Sequence, residues 1–111
     1  MNLETAVVKY IETVQEKVNA YYASSLNNLV PALIQVDGGR KYVKISMTSD
    51  GGAGQKSVHS FIATEDIPKK GLLAGDILKA ASWKAPALNG ARGSVFGKIN
   101  LTSTGSVPYL K

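Results

Sequence analysis

Alternation along the middle of the chain sets aromatic rings beside cations. Over residues 40–48, Val43, Ile45 and Met47 fall on one side of an extended strand, and Tyr42 and Lys44 fall on the other. In the apolar run 57–63, Val58 and Ile62 turn toward the core while His59 and Phe61 share the opposite side. In the run 77–83, Lys79 and Trp83 share a side. With the aliphatic set packed inward, Tyr42, Lys44, His59, Phe61, Lys79 and Trp83 collect on one open face, the alternative being that the tail folds over Phe61 and Trp83 as core. Rings interleaved with lysines on an exposed sheet form a platform for single-stranded nucleic acid. Bases stack on the rings, at about 1–3 kcal/mol each, while the cations follow the phosphates. Lys56, Lys84 and Arg92 complete the candidate site, with Lys44, Lys79, Lys84 and Arg92 meeting phosphates.

Other chemistries find less support. The chain has no cysteine and a single histidine, which excludes thiol catalysis, disulfide scaffolds, zinc fingers and multi-histidine metal sites. A nucleophile triad would have to use His59, which lies within a strand pattern rather than at a loop. Glu65, Asp66 and Asp76 could meet near a hairpin end around a hard cation, but their turn positions read more simply as solvated acids. Gly51-Gly52-Ala53-Gly54-Gln55-Lys56-Ser57 is similar to a phosphate loop ending in Lys-Ser. Gln55 replaces the required glycine, however, and a strand follows instead of a helix. The stretch reads as a mobile hairpin loop whose Lys56 can reach a backbone phosphate. The expectation is therefore a non-enzymatic protein with no cofactor and no metal.

The elements that must hold this platform are legible from period changes. Leu3, Val7, Tyr10, Val14, Val18 and Tyr21 lay one apolar stripe along a helix, with Asn2 as its cap and Glu4 at its positive end. Ser24 to Asn28 lose helix propensity, and Pro31 closes the connection. After Pro31 the period falls to two. Asp37-Gly38-Gly39 marks a hairpin, Gly51 to Gly54 a longer loop, and Pro68 to Gly71 and Gly75-Asp76 further turns. The reading is an α+β single domain over residues 1–111. An N-terminal amphipathic helix (1–26) packs on one face of a four-stranded antiparallel sheet (32–84), followed by an irregular tail (85–111).

Length and charge agree with a small binding module. At 111 residues and 44% hydrophobic composition the chain can bury one core. Its formal net charge is +5, unevenly spread. Residues 1–37 carry two lysines against four acids, whereas residues 38–111 carry eleven Lys/Arg against four acids. Lys79, Lys84, Arg92, Lys98 and Lys111 follow one another with no acid between them. Such asymmetry attracts polyanions. No apolar run reaches the ~18 residues of a membrane span and no leader opens the chain, so no membrane partner is expected.

One resemblance adds a source. Ser57-Val58-His59-Ser60-Phe61-Ile62, then Gly75-Asp76-Ile77-Leu78-Lys79-Ala80-Ala81-Ser82-Trp83-Lys84-Ala85-Pro86-Ala87, then Arg92-Gly93, resemble small proteins of tailed bacteriophages over residues 40–97. The chain departs from that pattern at Leu88-Asn89-Gly90-Ala91, where a lysine-containing stretch is usual. The resemblance implies no activity and no site residues. It implies a phage protein, and the absence of cysteines and of a leader fits action in the host cytoplasm, with the virion as the other location. Two functions follow as expectations. One is binding of single-stranded DNA or RNA through the basic, aromatic sheet face. The other is a virion accessory or host-protein-interaction role, acting through self-association or through the N-terminal helix with its Tyr10, Tyr21 and Tyr22.

Overall fold

Asn2 opens helix α1 (Leu3–Ser25) by accepting the Thr5 N–H on its side-chain oxygen at 2.8 Å. The computed structural model describes residues 2–26 and 28–108. Asn27, in the expected helix exit, and Lys111, in the expected basic tail, lie outside the described residues. Ala6, Val7, Tyr10, Val14 and Val18 are buried along α1, so the stripe seen in the sequence is the packing face. Four strands follow: β1 (Leu33–Val36), β2 (Tyr42–Thr48), β3 (Lys56–Ala63) and β4 (Ile77–Leu78). They pair in chain order as an antiparallel meander. The α+β architecture expected from the period change is the one observed.

Each strand sends one isoleucine under the helix: Ile34, Ile45, Ile62 and Ile77 are all buried in the core that holds the α1 stripe. Val43 and Met47 pack at its margin, so β2 alternates as its sequence indicates. Gln15 ties the helix to the edge of the sheet. Its side-chain amide donates to the Ala32 carbonyl at 2.8 Å and its oxygen accepts the Ile34 N–H at 2.9 Å. These bonds satisfy two backbone groups that an unprotected edge strand would expose.

The opposite face of the sheet departs from expectation. It carries a second apolar cluster of Phe61, Ala63, Leu72 and Leu78, with Tyr42, Val58, Ile67, Ala80, Leu88 and Ala91 packed against it. The connection after β3 and the segment before Arg92 supply its cover. The face is therefore closed over β3 and β4, and Tyr42 and Lys44 of β2 lie beside a cleft that remains open there. The cause lies in apolar residues scattered among turns, which bury hydrophobic surface without any period to announce them.

Strand β3 also differs in its facing. Ile45 pairs with Ser60 and Ser46 with Val58, so His59 is an extra residue, a β-bulge. Beyond such a bulge the alternation changes phase. Val58 consequently joins Phe61 on the second face, where Phe61 was expected, while His59 and Ser60 both reach Tyr10 on the helix side. Strand β4 is shorter than the expected 77–83, because the chain doubles back after Leu78. Ala80 bridges Pro86, the Ala87 N–H donates to the Lys79 carbonyl at 2.7 Å, and Ala81 and Ser82 both donate to the Ala85 carbonyl. The Ser82 hydroxyl oxygen accepts the Lys84 and Ala85 N–H groups, which fixes residues 81–85 as a turn. The tail forms no helix or strand among the described residues, but backbone bonds tie it to the sheet. Arg92 and Val95 donate to the Ile77 and Gly75 carbonyls, and Val95 and Val107 enter the core beneath α1.

Candidate functional site

The hairpin joining β1 to β2 and the 81–85 turn face each other across a cleft of about 310 Å³. Asp37, Gly38, Gly39, Arg40, Lys41, Tyr42, Lys44, Phe61 and Lys84 line it. The hairpin takes its shape from two glycines: Gly38 has φ 80° and Gly39 φ 129°, and a Cβ at Gly39 would run into the Tyr42 carbonyl oxygen. The Asp37 N–H donates to the Lys44 carbonyl at 2.7 Å and the Lys44 N–H to the Gly38 carbonyl at 2.8 Å. Four cations thus share the cleft with one carboxylate. That carboxylate is already engaged, for Asp37 forms an ion pair with Lys56 at 3.2 Å. The cleft therefore carries a net positive charge.

Trp83 stands at the tip of the 81–85 turn, 45% exposed, with the Lys44 ammonium 4.1 Å from its ring centroid. This cation–π contact holds the ring against the cleft while leaving indole surface to solvent. Tyr42 is half-buried, and the Lys41 ammonium lies 5.9 Å from its ring centroid.

Of the nine residues expected to form the site, Tyr42, Lys44, Trp83 and Lys84 come together here. Phe61 lines the floor but is only 2% exposed, so its ring packs in the second cluster and cannot stack a base. Lys56 serves the site indirectly by neutralising Asp37. His59 and Lys79 lie on the helix side. The bulge carries His59 there, and the Lys79 ammonium donates to the Val107 carbonyl at 2.9 Å. Arg92 is 6% exposed and donates through Nη1 to Asn89 Oδ1 and the Gly90 carbonyl, so it clips its own loop instead of presenting charge. The 49–55 loop is closed on itself: Ser49 receives the Gln55 N–H on its hydroxyl at 2.9 Å and donates its own N–H to the Gln55 carbonyl at 3.0 Å.

Arg40 and Lys41 belong to the site and were not singled out in the sequence. The signal was present as two consecutive cations directly after a Gly-Gly turn, which a hairpin necessarily projects at its end.

His59 has an internal role instead. Its Nε2 lies 2.8 Å from the Gly105 carbonyl, an acceptor only, so Nε2 carries the proton of the neutral ring. Nδ1 then accepts the Ser60 hydroxyl at 2.9 Å, and Ser60 in turn accepts the Tyr10 hydroxyl at 2.8 Å. Burial pushes the His59 pKa below its ordinary value; the Gly105 bond opposes that and the positive charge of Lys79 adds to it. Burial likewise raises the Tyr10 pKa, opposed by the Ser60 bond. The triplet joins α1, β3 and the tail.

The turn acids are similarly occupied. Asp66 accepts the Ala74 N–H and Asp76 the Leu73 N–H, so each caps the turn before β4. Among the described residues no group of three His, Cys, Asp or Glu side chains could hold a metal ion. No helix among them is long and apolar enough to cross a membrane.

Fold and cleft together define a small α+β protein, a helix on an antiparallel meander with a cationic recess at one hairpin. The chain belongs to a family of unknown function, DUF7717, which matches residues 1–101. The matched span takes in α1 and the first part of the tail, wider than the 40–97 stretch that carries the motif resemblance. Comparison with curated proteins and with solved structures yields no match.

Proposed function

We propose that this chain is a non-enzymatic, single-stranded nucleic-acid-binding protein of a bacteriophage, acting on DNA or RNA in the host cytoplasm. One observation carries the reading: Arg40, Lys41, Lys44 and Lys84 surround a cleft whose sole carboxylate is paired with Lys56, and a half-exposed Trp83 stands at its edge. The cations meet phosphates, and the indole offers its solvent side to a base. The site is smaller than a sheet-wide platform, since Phe61 is spent in the second core. The helix supports an interaction role less well, because its apolar stripe is packed on the sheet. The phage source rests on the motif resemblance.

Fluorescence anisotropy of labelled single-stranded DNA and RNA tests the reading. The logarithm of affinity then falls with the logarithm of salt, at about −0.7 per phosphate contact. Absence of binding at low salt, or binding with a flat salt dependence, refutes it.

A further inference from the structure

The backbone of the 38–41 hairpin is as selective as its side chains. Three of its four carbonyls accept hydrogen bonds from within the protein. The Gly38 carbonyl accepts the Lys44 N–H, and the Arg40 and Lys41 carbonyls both accept the Thr64 hydroxyl at 2.8 Å. Lys41 also receives the Thr64 N–H at 3.1 Å. The N–H groups of Gly38, Gly39, Arg40 and Lys41, by contrast, have no acceptor among the described residues. The loop therefore leaves four donors but one acceptor unpaired, on the hairpin whose residues line the recess with Lys44 and Lys84. Successive unpaired backbone N–H groups in a turn make an anion-binding concavity.

We propose that the 38–41 loop is a receptor for a phosphomonoester, the phosphate group of a nucleotide end, rather than a track for internal phosphodiesters. This deepens the strand-binding reading and rests on it for the nucleotide part. An internal phosphodiester offers two free oxygens and one charge. A terminal phosphate offers three free oxygens and carries about −1.5 to −2 at neutral pH. Four backbone donors, a forked guanidinium and three ammonium groups outnumber what a diester accepts and match what a monoester accepts. Trp83 beside the recess then takes the base attached to that phosphate. The same group occurs on a strand end and on a free nucleotide, so both sources enter the test.

Anisotropy competition on the full chain compares four probes: one oligonucleotide sequence bearing a 5′ phosphate, a 3′ phosphate, or hydroxyls at both ends, and a free nucleoside monophosphate. The expected result is at least about tenfold tighter binding of one phosphorylated strand than of the hydroxyl-ended strand, in keeping with one charge-assisted contact set. Arg40→Ala/Lys41→Ala, in an exposed loop, removes that ratio while far-UV circular dichroism stays native. Equal affinity for all three strands overturns the phosphomonoester site and leaves strand binding standing. Binding of the nucleoside monophosphate without binding of any strand upholds the receptor and overturns the strand-binding reading. Silence from all four probes overturns both.

Discussion

Replacing Tyr10 by phenylalanine removes one atom from the most connected polar group in the core. The Tyr10 hydroxyl is buried and donates to Ser60 at 2.8 Å, within a chain of donors that ends on the Gly105 carbonyl of the tail. The phenylalanine ring keeps the volume, so no cavity term enters. What is lost is a buried hydrogen bond, and Ser60, itself fully buried, keeps its donor role toward His59 but loses the partner for its lone pair. Leaving a buried polar atom unsatisfied costs about 1–3 kcal/mol. For a domain of this size that lowers the melting temperature by roughly 4–8 °C per kcal/mol. Urea denaturation followed by circular dichroism reads the change, with Val8→Ala, at a half-exposed helix position, as the control that stays within about 0.5 kcal/mol of the parent. Tyr10→Phe and Ser60→Ala should also be non-additive, since both remove the same bond. A Tyr10→Phe protein as stable as the parent, or strict additivity with Ser60→Ala, refutes the donor chain.

Three further outcomes follow from the same geometry. His59 is neutral in the folded state with its pKa depressed, so its contribution to stability is complete above the unfolded value of about 6.5 and is lost as pH falls from there toward the folded value. Melting temperatures between pH 7.5 and 5 should fall more steeply for the parent than for His59→Gln, and parallel profiles would contradict this. Gly38 and Gly39 both have positive φ, but an added Cβ meets nothing at Gly38 and the Tyr42 carbonyl oxygen at Gly39. Gly39→Ala should therefore cost clearly more than Gly38→Ala, by about 1–3 kcal/mol of added strain, and equal costs in thermal unfolding would show the hairpin to be differently built. Phe61→Ala should destabilise by about 3–5 kcal/mol, and Trp83→Ala by less than about 1 kcal/mol. The reverse order would place Trp83 in the core and Phe61 at the surface.

The legibility of this chain varied with the regularity of its elements. The α1 stripe and the β2 alternation were readable because each follows one period from end to end, and Val7, Tyr10, Val14, Val18 and Ile45 are buried as that period demands. In β3 the period is broken at His59, and a single extra residue put Val58 on the second face and carried His59 into the helix-side core, while Phe61 kept its side and was covered there. Composition contains no local mark for such an insertion. Lys79 was displaced for a different reason: β4 pairs only through Ile77 and Leu78, and Lys79 reaches back to the Val107 carbonyl. The second apolar cluster draws Ile67, Leu72, Leu88 and Ala91 from segments rich in turns, where burial depends on tertiary closure. The cation content of the site was visible, and Lys44 and Lys84 were found. Arg40 and Lys41 escaped because they sit outside the strand period, on the turn that aims them. Arg92 misled because charge alone does not reveal whether a guanidinium is spent on its own loop.

Trp83 is the chain's single tryptophan, so its fluorescence reports on the proposed site without a label. Titration of the full chain with unlabelled single-stranded DNA and RNA at low salt should give a saturable change in that emission. Raising the salt should reverse it, and Lys84→Ala should weaken it while leaving the unfolding midpoint unchanged. A fluorescence signal that stays constant while the strand binds would place the nucleic acid elsewhere on the protein, and the absence of any binding would contradict the account itself.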